Sequence, residues 1–373
     1  SAEAAAQPHA WDTEVAALDV TKQSPVGNGT LLCMSCYAGP SVSFGAPGVS
    51  RLWVDCWGAD GGTPAREAAE ALARGDVDGC GPAVLRPFRA YFADRATQLV
   101  WHNYSFDAHI LRNYGARPHG LVGDTMHMAR LWDSSLGHDI EAGGWGAPKE
   151  QSPEEAAAAK AMRGYGLAAL SMRMLGRESW KTDMKSLFGR PKERKDGTPG
   201  KAIYLPPLEE LQTSANPHTV SQWVHYSTLD AQSTWELYVN LLGKLREMPL
   251  YRKGEGSAAE AVWEGGNGWE GHKPPTMAML YGNIVVPFAE TLVNMERRGI
   301  YVDQAWLGKQ LKKAEADREQ AEETFRAKLV EGGYVEPEEA GAILLSSSVQ
   351  MAHLIFGGYG EGLEVTVDNP LYG

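Results

Sequence analysis

The chain has 373 residues, 43% of them hydrophobic, and a formal net charge of −12. This length allows one large domain and a second, smaller piece, and the apolar fraction is typical of an ordinary packed core. Proteins that bind nucleic acids usually carry a basic surface, and the net negative charge does not indicate one. The sequence contains no run of about 18 apolar residues, so neither a membrane span nor a membrane partner is predicted.

Extended stretches and turns alternate at the start of the chain. Residues 11–17, 29–37 and 51–56 predict three strands joined as a meander. A single CxxC, Cys33 to Cys36, lies inside the second stretch, and no second CxxC completes a zinc site. The two cysteines are therefore predicted to be buried strand residues.

A helix–strand alternation follows, over residues 83–94, 98–102, 105–114, 121–124 and 126–132. Ser105 is the predicted N-cap of the third of these segments. Strands that alternate with helices are typical of an α/β layer. The fold class predicted for this part of the chain is therefore α/β.

The second half is mainly helical. Residues 141–153 predict a loop, and helices are predicted over 156–162, 167–175, 219–246, 277–298, 304–329 and 347–356. Residues 251–275 are rich in glycine and predict a linker. Between Lys181 and Lys201, seven cationic residues stand against three acidic ones. This basic arm is either a solvated loop or a contact to DNA phosphates, and the sequence leaves both readings open.

Three short acidic fragments carry the chemistry. Asp12 and Glu14 are two apart in a predicted strand and share a face. Tyr226 and Asp230 are four apart on a predicted helix and share a face. Asp107 follows the apolar run 99–101, where a strand passes into a helix. If they converge, the four carboxylates form an all-oxygen site suited to Mg²⁺ or Mn²⁺ and to phosphoryl chemistry.

These fragments resemble the tyrosine-type DEDD exonucleases, and more narrowly the proofreading domain of family A DNA polymerases. D-T-E-V-A-A-L, H-N-Y-S-F-D and H-Y-S-T-L-D are similar to that family's three exonuclease motifs. The similarity is closest to plant and algal organellar DNA polymerases, in D-T-M-H-M-A-R-L-W-D-S-S among others. The resemblance implies an RNase H-like fold, a mixed five-stranded sheet flanked by helices. It also implies 3′→5′ exonuclease activity on DNA.

The resemblance also implies a role for each site residue. Asp12 is expected to bridge two divalent ions, Glu14 and Asp230 to complete the site of the ion that activates water, and Asp107 to hold the second ion. Tyr226 is expected to position the attacking water together with Glu14. Leu18 matches the family's wedge leucine, and Asn103 matches a residue that contacts the substrate strand. The expected substrate is a single-stranded or frayed 3′ end.

The resemblance divides the chain into an exonuclease domain (1–250), a linker (251–275) and an incomplete start of a polymerase region (276–373). The last part carries V-P-F-A-E-T-L-V-N-M-E-R-R-G-I-Y-V-D, which is similar to the opening of that region. The missing polymerase domain is then the expected partner in a full-length chain. Ser1 is not an initiator methionine, and no leader segment opens the chain. A plastid or mitochondrial location therefore follows from the resemblance alone.

Two alternatives remain open at this stage. An RNase D-like 3′→5′ exoribonuclease would share all four carboxylates and the tyrosine. The polymerase-like C-terminal segments favour the DNA enzyme over it. A non-catalytic DNA-holding module would need no complete set of Asp12, Glu14, Asp107, Tyr226 and Asp230.

Overall fold

The computed structural model describes residues 7–58, 61–137, 164–176, 184–194, 198–250 and 275–356. The predicted loop 141–153, the helix 156–162 and nearly all of the linker 251–275 lie outside these residues. No helix of the described residues is long and apolar enough to cross a membrane.

A five-stranded mixed sheet forms the centre of the molecule. Its strands, in chain order, are β1 (His9–Ala16), β2 (Thr30–Tyr37), β3 (Arg51–Asp55), β4 (Leu99–Trp101) and β5 (Leu121–Asp124). The spatial order is β3-β2-β1-β4-β5. The first three strands are antiparallel, whereas β4 runs parallel to β1 and β5 parallel to β4. The predicted meander and the predicted mixed sheet are both confirmed.

Helices cover the sheet. They are α1 (Ala65–Ala73), α2 (Leu85–Ala93), α3 (Tyr104–Asn113), α4 (Thr125–Trp132), a 3₁₀ turn (Ser134–Gly137), α5 (Leu167–Leu175), α6 (Met184–Phe188), α7 (Leu208–Gln212) and the long α8 (Pro217–Glu247). A two-stranded hairpin, β6 (Arg190–Glu193) and β7 (Pro199–Tyr204), lies between α6 and α7. The sequence patterns above did not predict α1, α6, α7 or the hairpin.

Neighbouring residues of a strand point to opposite faces of the sheet, and a hydrophobic cluster covers each face. Trp11 belongs to one hydrophobic cluster, with Phe92 of α2. Its neighbour Ala10 belongs to another, with Leu237 and Leu241 of α8. The RNase H-like architecture expected from the sequence, with helices on both sides of the sheet, is therefore what the chain adopts.

The segment after the predicted linker packs on the same core. It consists of α9 (Met277–Leu280), a π-helical turn (Tyr281–Val285) and α10 (Val286–Arg298). Val293 is fully buried in the cluster that contains Trp11, and the Arg297 guanidinium donates to Asn113 Oδ1 of α3 at 3.1 Å. The first compact unit accordingly runs to Arg298. The predicted domain boundaries at residues 250 and 276 follow from sequence resemblance, and they stay a prediction.

Residues 299–373 form the second compact unit. Its described elements are α11 (Gln304–Glu331), α12 (Pro337–Ala340) and α13 (Ser348–Phe356). Leu329, Ile343 and Leu354 make its small core. Near the start of α11, Leu307 and Leu311 are 47% and 60% exposed, whereas Leu329 near its C-terminal end is buried.

Candidate active site

Three of the four predicted carboxylates meet where β1 passes beneath α8. Asp12 and Glu14 lie on the face of β1 opposite Trp11, as their spacing predicts. Asp230 lies on α8 and is 6% exposed. Each of the three offers a carboxylate oxygen, and these oxygens lie within 4.8 Å of one another. A strand and a helix about 220 residues apart in sequence thus supply one acidic cluster.

A hydrogen bond from β2 fixes the position of α8 over this cluster. Ser35 lies opposite Asp12 in the β1–β2 register. Its hydroxyl donates to the Ser227 carbonyl of α8 at 2.9 Å and is fully buried. Because Ser227 lies between Tyr226 and Asp230, this contact holds the turn that carries both of them.

Tyr226 is packed between two other aromatic side chains. Its ring stacks on Trp223, with centroids 6.2 Å apart and planes at 13°. Phe188, the last residue of α6, meets Tyr226 edge-on at 6.2 Å. The Trp223 indole N–H donates to Gln212 Oε1 at 3.1 Å. The Tyr226 ring therefore has its position fixed by packing, which suits a residue that must orient a small molecule.

Asp107 lies on α3, one strand–helix junction away, as predicted. It is 3% exposed. One of its oxygens, Oδ1, accepts two hydrogen bonds from Thr13, from the backbone N–H at 3.0 Å and from the hydroxyl at 2.6 Å. Burial raises the pKa of Asp107 to about 7, although the bonds from Thr13 act in the opposite direction. Asp107 does not belong to the group of three, and its role as an ion ligand stays a prediction.

Asp124 organises the backbone next to Asp107. The side chain is fully buried at the end of β5 and accepts from the backbone N–H groups of Asn103 (3.1 Å), Tyr104 (2.8 Å), Met126 (2.9 Å) and His127 (3.4 Å). One carboxylate therefore caps the N-termini of both α3 and α4. Ser105 is not the N-cap, contrary to the sequence prediction. Asn103 occupies that position, because Asp124 already satisfies the first N–H groups of α3.

Asn103 and Leu18, the two predicted substrate contacts, lie at the start of α3 and shortly after the end of β1. Asn103 has φ +68°, a left-handed conformation that a non-glycine residue rarely adopts. Leu18 follows Ala17, the other described non-glycine residue with positive φ, and packs partly buried against the core. The loop after Leu18 is tied to α3, since Gly27 N–H donates to Asn113 Oδ1 at 3.0 Å. Their contacts with substrate stay predictions.

Several side chains near the motifs are buried and belong to the core. Trp101 and Trp223 are fully buried. The four cysteines are also buried, and burial raises the pKa of the Cys33 thiol well above its ordinary value, helped by the charge of Glu14. Sequence reasoning missed Thr13 as the partner of Asp107, although its position between two acids on a strand was a signal.

The donor set fits divalent cations. Asp12, Glu14 and Asp230 contribute only oxygen, the ligand that Mg²⁺ and Mn²⁺ prefer. Three carboxylates converge in a setting where Asp12 and Glu14 are half-buried and Asp230 is buried. Such a concentration of negative charge is costly without a compensating cation.

Part of the chain matches a known protein family. Residues 68–246 match the DNA polymerase A family model described as a 3′-5′ exonuclease. Over 94% of its length the chain is 34% identical to DNA polymerase I A, chloroplastic/mitochondrial, of Arabidopsis thaliana. Over the same share it is 33% identical to DNA polymerase I B, mitochondrial, of Oryza sativa subsp. japonica.

The chain spans 28% of the length of each of these curated relatives. Among solved structures, it is similar to the POL domain of Pol1 from M. smegmatis in complex with DNA primer-template and dNTP. That similarity has a TM-score of 0.46 and 17% identity, and covers 95% of this chain and 38% of the other. At this score it supports no functional assignment.

Proposed function

We propose that this chain removes nucleotides from DNA 3′ ends by two-metal phosphodiester hydrolysis, because residues 68–246 match the DNA polymerase A family model described as a 3′-5′ exonuclease and the chain is 34% identical to a DNA polymerase I. The observation that carries the proposal is the convergence of Asp12, Glu14 and Asp230 within 4.8 Å. In the full-length protein this activity serves proofreading during the replication of organellar DNA.

Asp12, Glu14 and Asp230 would hold one divalent ion, and Asp107 would serve a second. Mg²⁺ or Mn²⁺ at such a site supplies Lewis-acid activation of water and neutralises charge on the phosphate. Thr13 supports this arrangement, because its two hydrogen bonds fix one oxygen of Asp107 and leave the other for an ion.

Tyr226 and Glu14 orient the attacking water. Tyr226 is one helical turn before Asp230 on α8, and the aromatic contacts with Trp223 and Phe188 restrict its ring. A phenol hydroxyl both donates and accepts hydrogen bonds, and Tyr226 acts on the water in this way.

The substrate is a single-stranded or frayed 3′ end. A paired terminus must unstack before it can reach carboxylates held between a strand and a helix, which costs a few kcal/mol and least at a mismatch. Leu18 lies four residues after Glu14 and packs on the exposed terminal bases. Asn103, at the start of α3, contacts the strand.

The relatives' names place them in chloroplasts and mitochondria, and the same location is proposed for the protein that contains this chain. The polymerase activity of that protein, and its association with the exonuclease, are part of the same proposal. A fluorescent fusion of the complete gene product tests the location: a cytosolic or nuclear signal would contradict it.

The experiment follows a 5′-labelled DNA strand on a gel, single-stranded, matched or mismatched at its 3′ end, with Mg²⁺ or EDTA. Asp12→Ala should abolish nucleotide release. The loss should exceed the roughly 10–100-fold that is typical when a residue that orients a metal ligand is removed. Tyr226→Phe should be milder. Asp317→Ala, an exposed acid of α11 in the second unit, is the matched control and should act like the parent chain.

Two outcomes distinguish the other readings. Faster digestion of an RNA strand of the same sequence would favour the exoribonuclease. Binding without nucleotide release in Mg²⁺ would favour a DNA-holding module. Near-normal activity in Asp12→Ala would falsify the metal assignment itself.

A further inference from the structure

A basic hairpin is anchored directly against the candidate catalytic helix. The hairpin, β6 and β7, is preceded by α6 and followed by α7. Over the described residues 184–194 and 198–204 it carries five cations and one acid, in a chain of net charge −12. The cations are Lys185, Arg190, Lys192, Arg194 and Lys201, and all five are exposed.

Both ends of the hairpin are fixed beneath Tyr226. Phe188 is 6% exposed and packs with Trp223 and Tyr226 in one cluster. Leu211 of α7, after the hairpin, is buried in the same cluster. The Arg190 guanidinium forms a salt bridge with Glu210 at 3.2 Å. The hairpin therefore keeps a defined position beside the residue that faces the reaction.

The other hairpin cations are available to a ligand. Within the described part of the chain, no salt bridge joins Lys192, Arg194 or Lys201 to a carboxylate. The β6–β7 register shifts between Pro191 and Glu193, so Lys192 lies at an irregularity of the ladder. β6 is roughly 13 Å long at about 3.3 Å per residue. That is several times the rise of about 3.4 Å per nucleotide of a B-form strand.

The hairpin also exposes an aromatic ring. Tyr204 is 45% exposed and lies opposite Arg190 in the β6–β7 register, and Ile203 beside it is 57% exposed. Proteins that hold single strands without sequence preference combine backbone-tracking cations with aromatic rings on which bases stack. A hairpin that only connected two helices would gain no stability from exposing Tyr204 and Ile203 to solvent.

We infer that the β6–β7 hairpin binds the backbone of single-stranded DNA upstream of the scissile nucleotide, with Lys192, Arg194 and Lys201 on phosphates and Tyr204 under a base. This inference rests on the proposed exonuclease function and deepens it. The hairpin guides a strand longer than a dinucleotide to the carboxylates, and it contributes nothing to the chemical step.

The test compares the parent chain with a Lys192→Ala/Arg194→Ala/Lys201→Ala variant. Binding to 5′-fluorescein dT16 in EDTA should weaken about tenfold or more at low salt, and the slope of log affinity against log salt should fall by about 2. KM for dT16 should rise, while kcat and the rate on dT2 stay unchanged. Tyr204→Ala should weaken dT16 binding without changing the salt slope.

The matched control removes three cations elsewhere. Lys309→Ala/Lys312→Ala/Lys313→Ala changes the net charge equally on exposed positions of α11. If this control weakens dT16 binding as much as the hairpin variant does, bulk charge accounts for the effect and the inference is wrong. A hairpin variant that binds and digests dT16 like the parent also overturns it. An inactive parent chain would instead refute the proposed function, and unchanged melting temperatures exclude misfolding.

Discussion

Thr13 and Asp107 are joined by two hydrogen bonds to a single carboxylate oxygen, across 94 residues of sequence. Thr13 lies between Asp12 and Glu14 on β1, so the strand that carries two of the proposed ion ligands also orients a third. The pair ties α3 to β1.

Thr13→Val should impair both stability and activity. The substitution keeps the side-chain shape and removes the hydroxyl, and a hydrogen bond to a buried charged group contributes about 1.5–3 kcal/mol. Exonuclease activity should fall roughly 10–100-fold, as for other residues that orient a ligand. Thr13→Ser keeps the hydroxyl and is the control. Equal activity of the Val and Ser variants would show that the bond does not matter.

Asp124→Ala should destabilise the chain by about 2 kcal/mol or more, because it leaves four backbone N–H groups, that of Tyr104 buried, without their acceptor. Urea denaturation measures the loss. Asp94→Ala is the matched control, since Asp94 also accepts from a backbone N–H, that of Ala96 at 3.0 Å, but is exposed. The prediction fails if both substitutions cost the same.

Gly123→Ala should be destabilising by about 1–3 kcal/mol. A Cβ at Gly123 of β5 would lie 2.3 Å from Cδ2 of Tyr238, a buried residue of α8. Gly243→Ala, also on α8, meets no atom within 4 Å and should stabilise the helix by about 0.5–1 kcal/mol. Opposite shifts in the melting temperature are expected, and shifts of the same sign would contradict the packing at Gly123.

His109 should make the metal-free chain sensitive to acid. Its Nε2 contacts Glu296 Oε2 at 2.8 Å. Burial lowers the pKa of His109 below its ordinary value, and Arg297 and Arg112 act in the same direction, although Glu296 opposes them. The unfolded chain then binds the proton more tightly. The stability from neutral His109 is complete above about pH 6.5, the unfolded pKa, and is lost as the pH falls through the folded pKa.

Urea midpoints measured between pH 7.5 and 5 in EDTA check this directly. His109→Gln should flatten the fall in stability towards low pH, whereas the exposed His218→Gln should leave the profile unchanged. An unaltered slope in His109→Gln would mean that other groups cause the acid sensitivity.

The sequence by itself determined the features that repeat with a short period. Alternation along β1 placed Asp12 and Glu14 on one face, and helical spacing placed Tyr226 and Asp230 on α8. The apolar run before Asp107 predicted the strand–helix junction that the structure contains. These results follow because side-chain direction in a strand or helix depends only on position along it.

Tertiary structure alone decided which of these elements meet. The pairing of Thr13 with Asp107, the cap that Asp124 rather than Ser105 provides for α3, and the contact of Phe188 with Tyr226 join residues that are 94, 20 and 38 positions apart. The packing of α10 against α3, beyond the glycine-rich stretch, is equally non-local. No periodic pattern encodes such contacts, because a buried carboxylate or ring finds its partner only when the sheet and its helices have packed together.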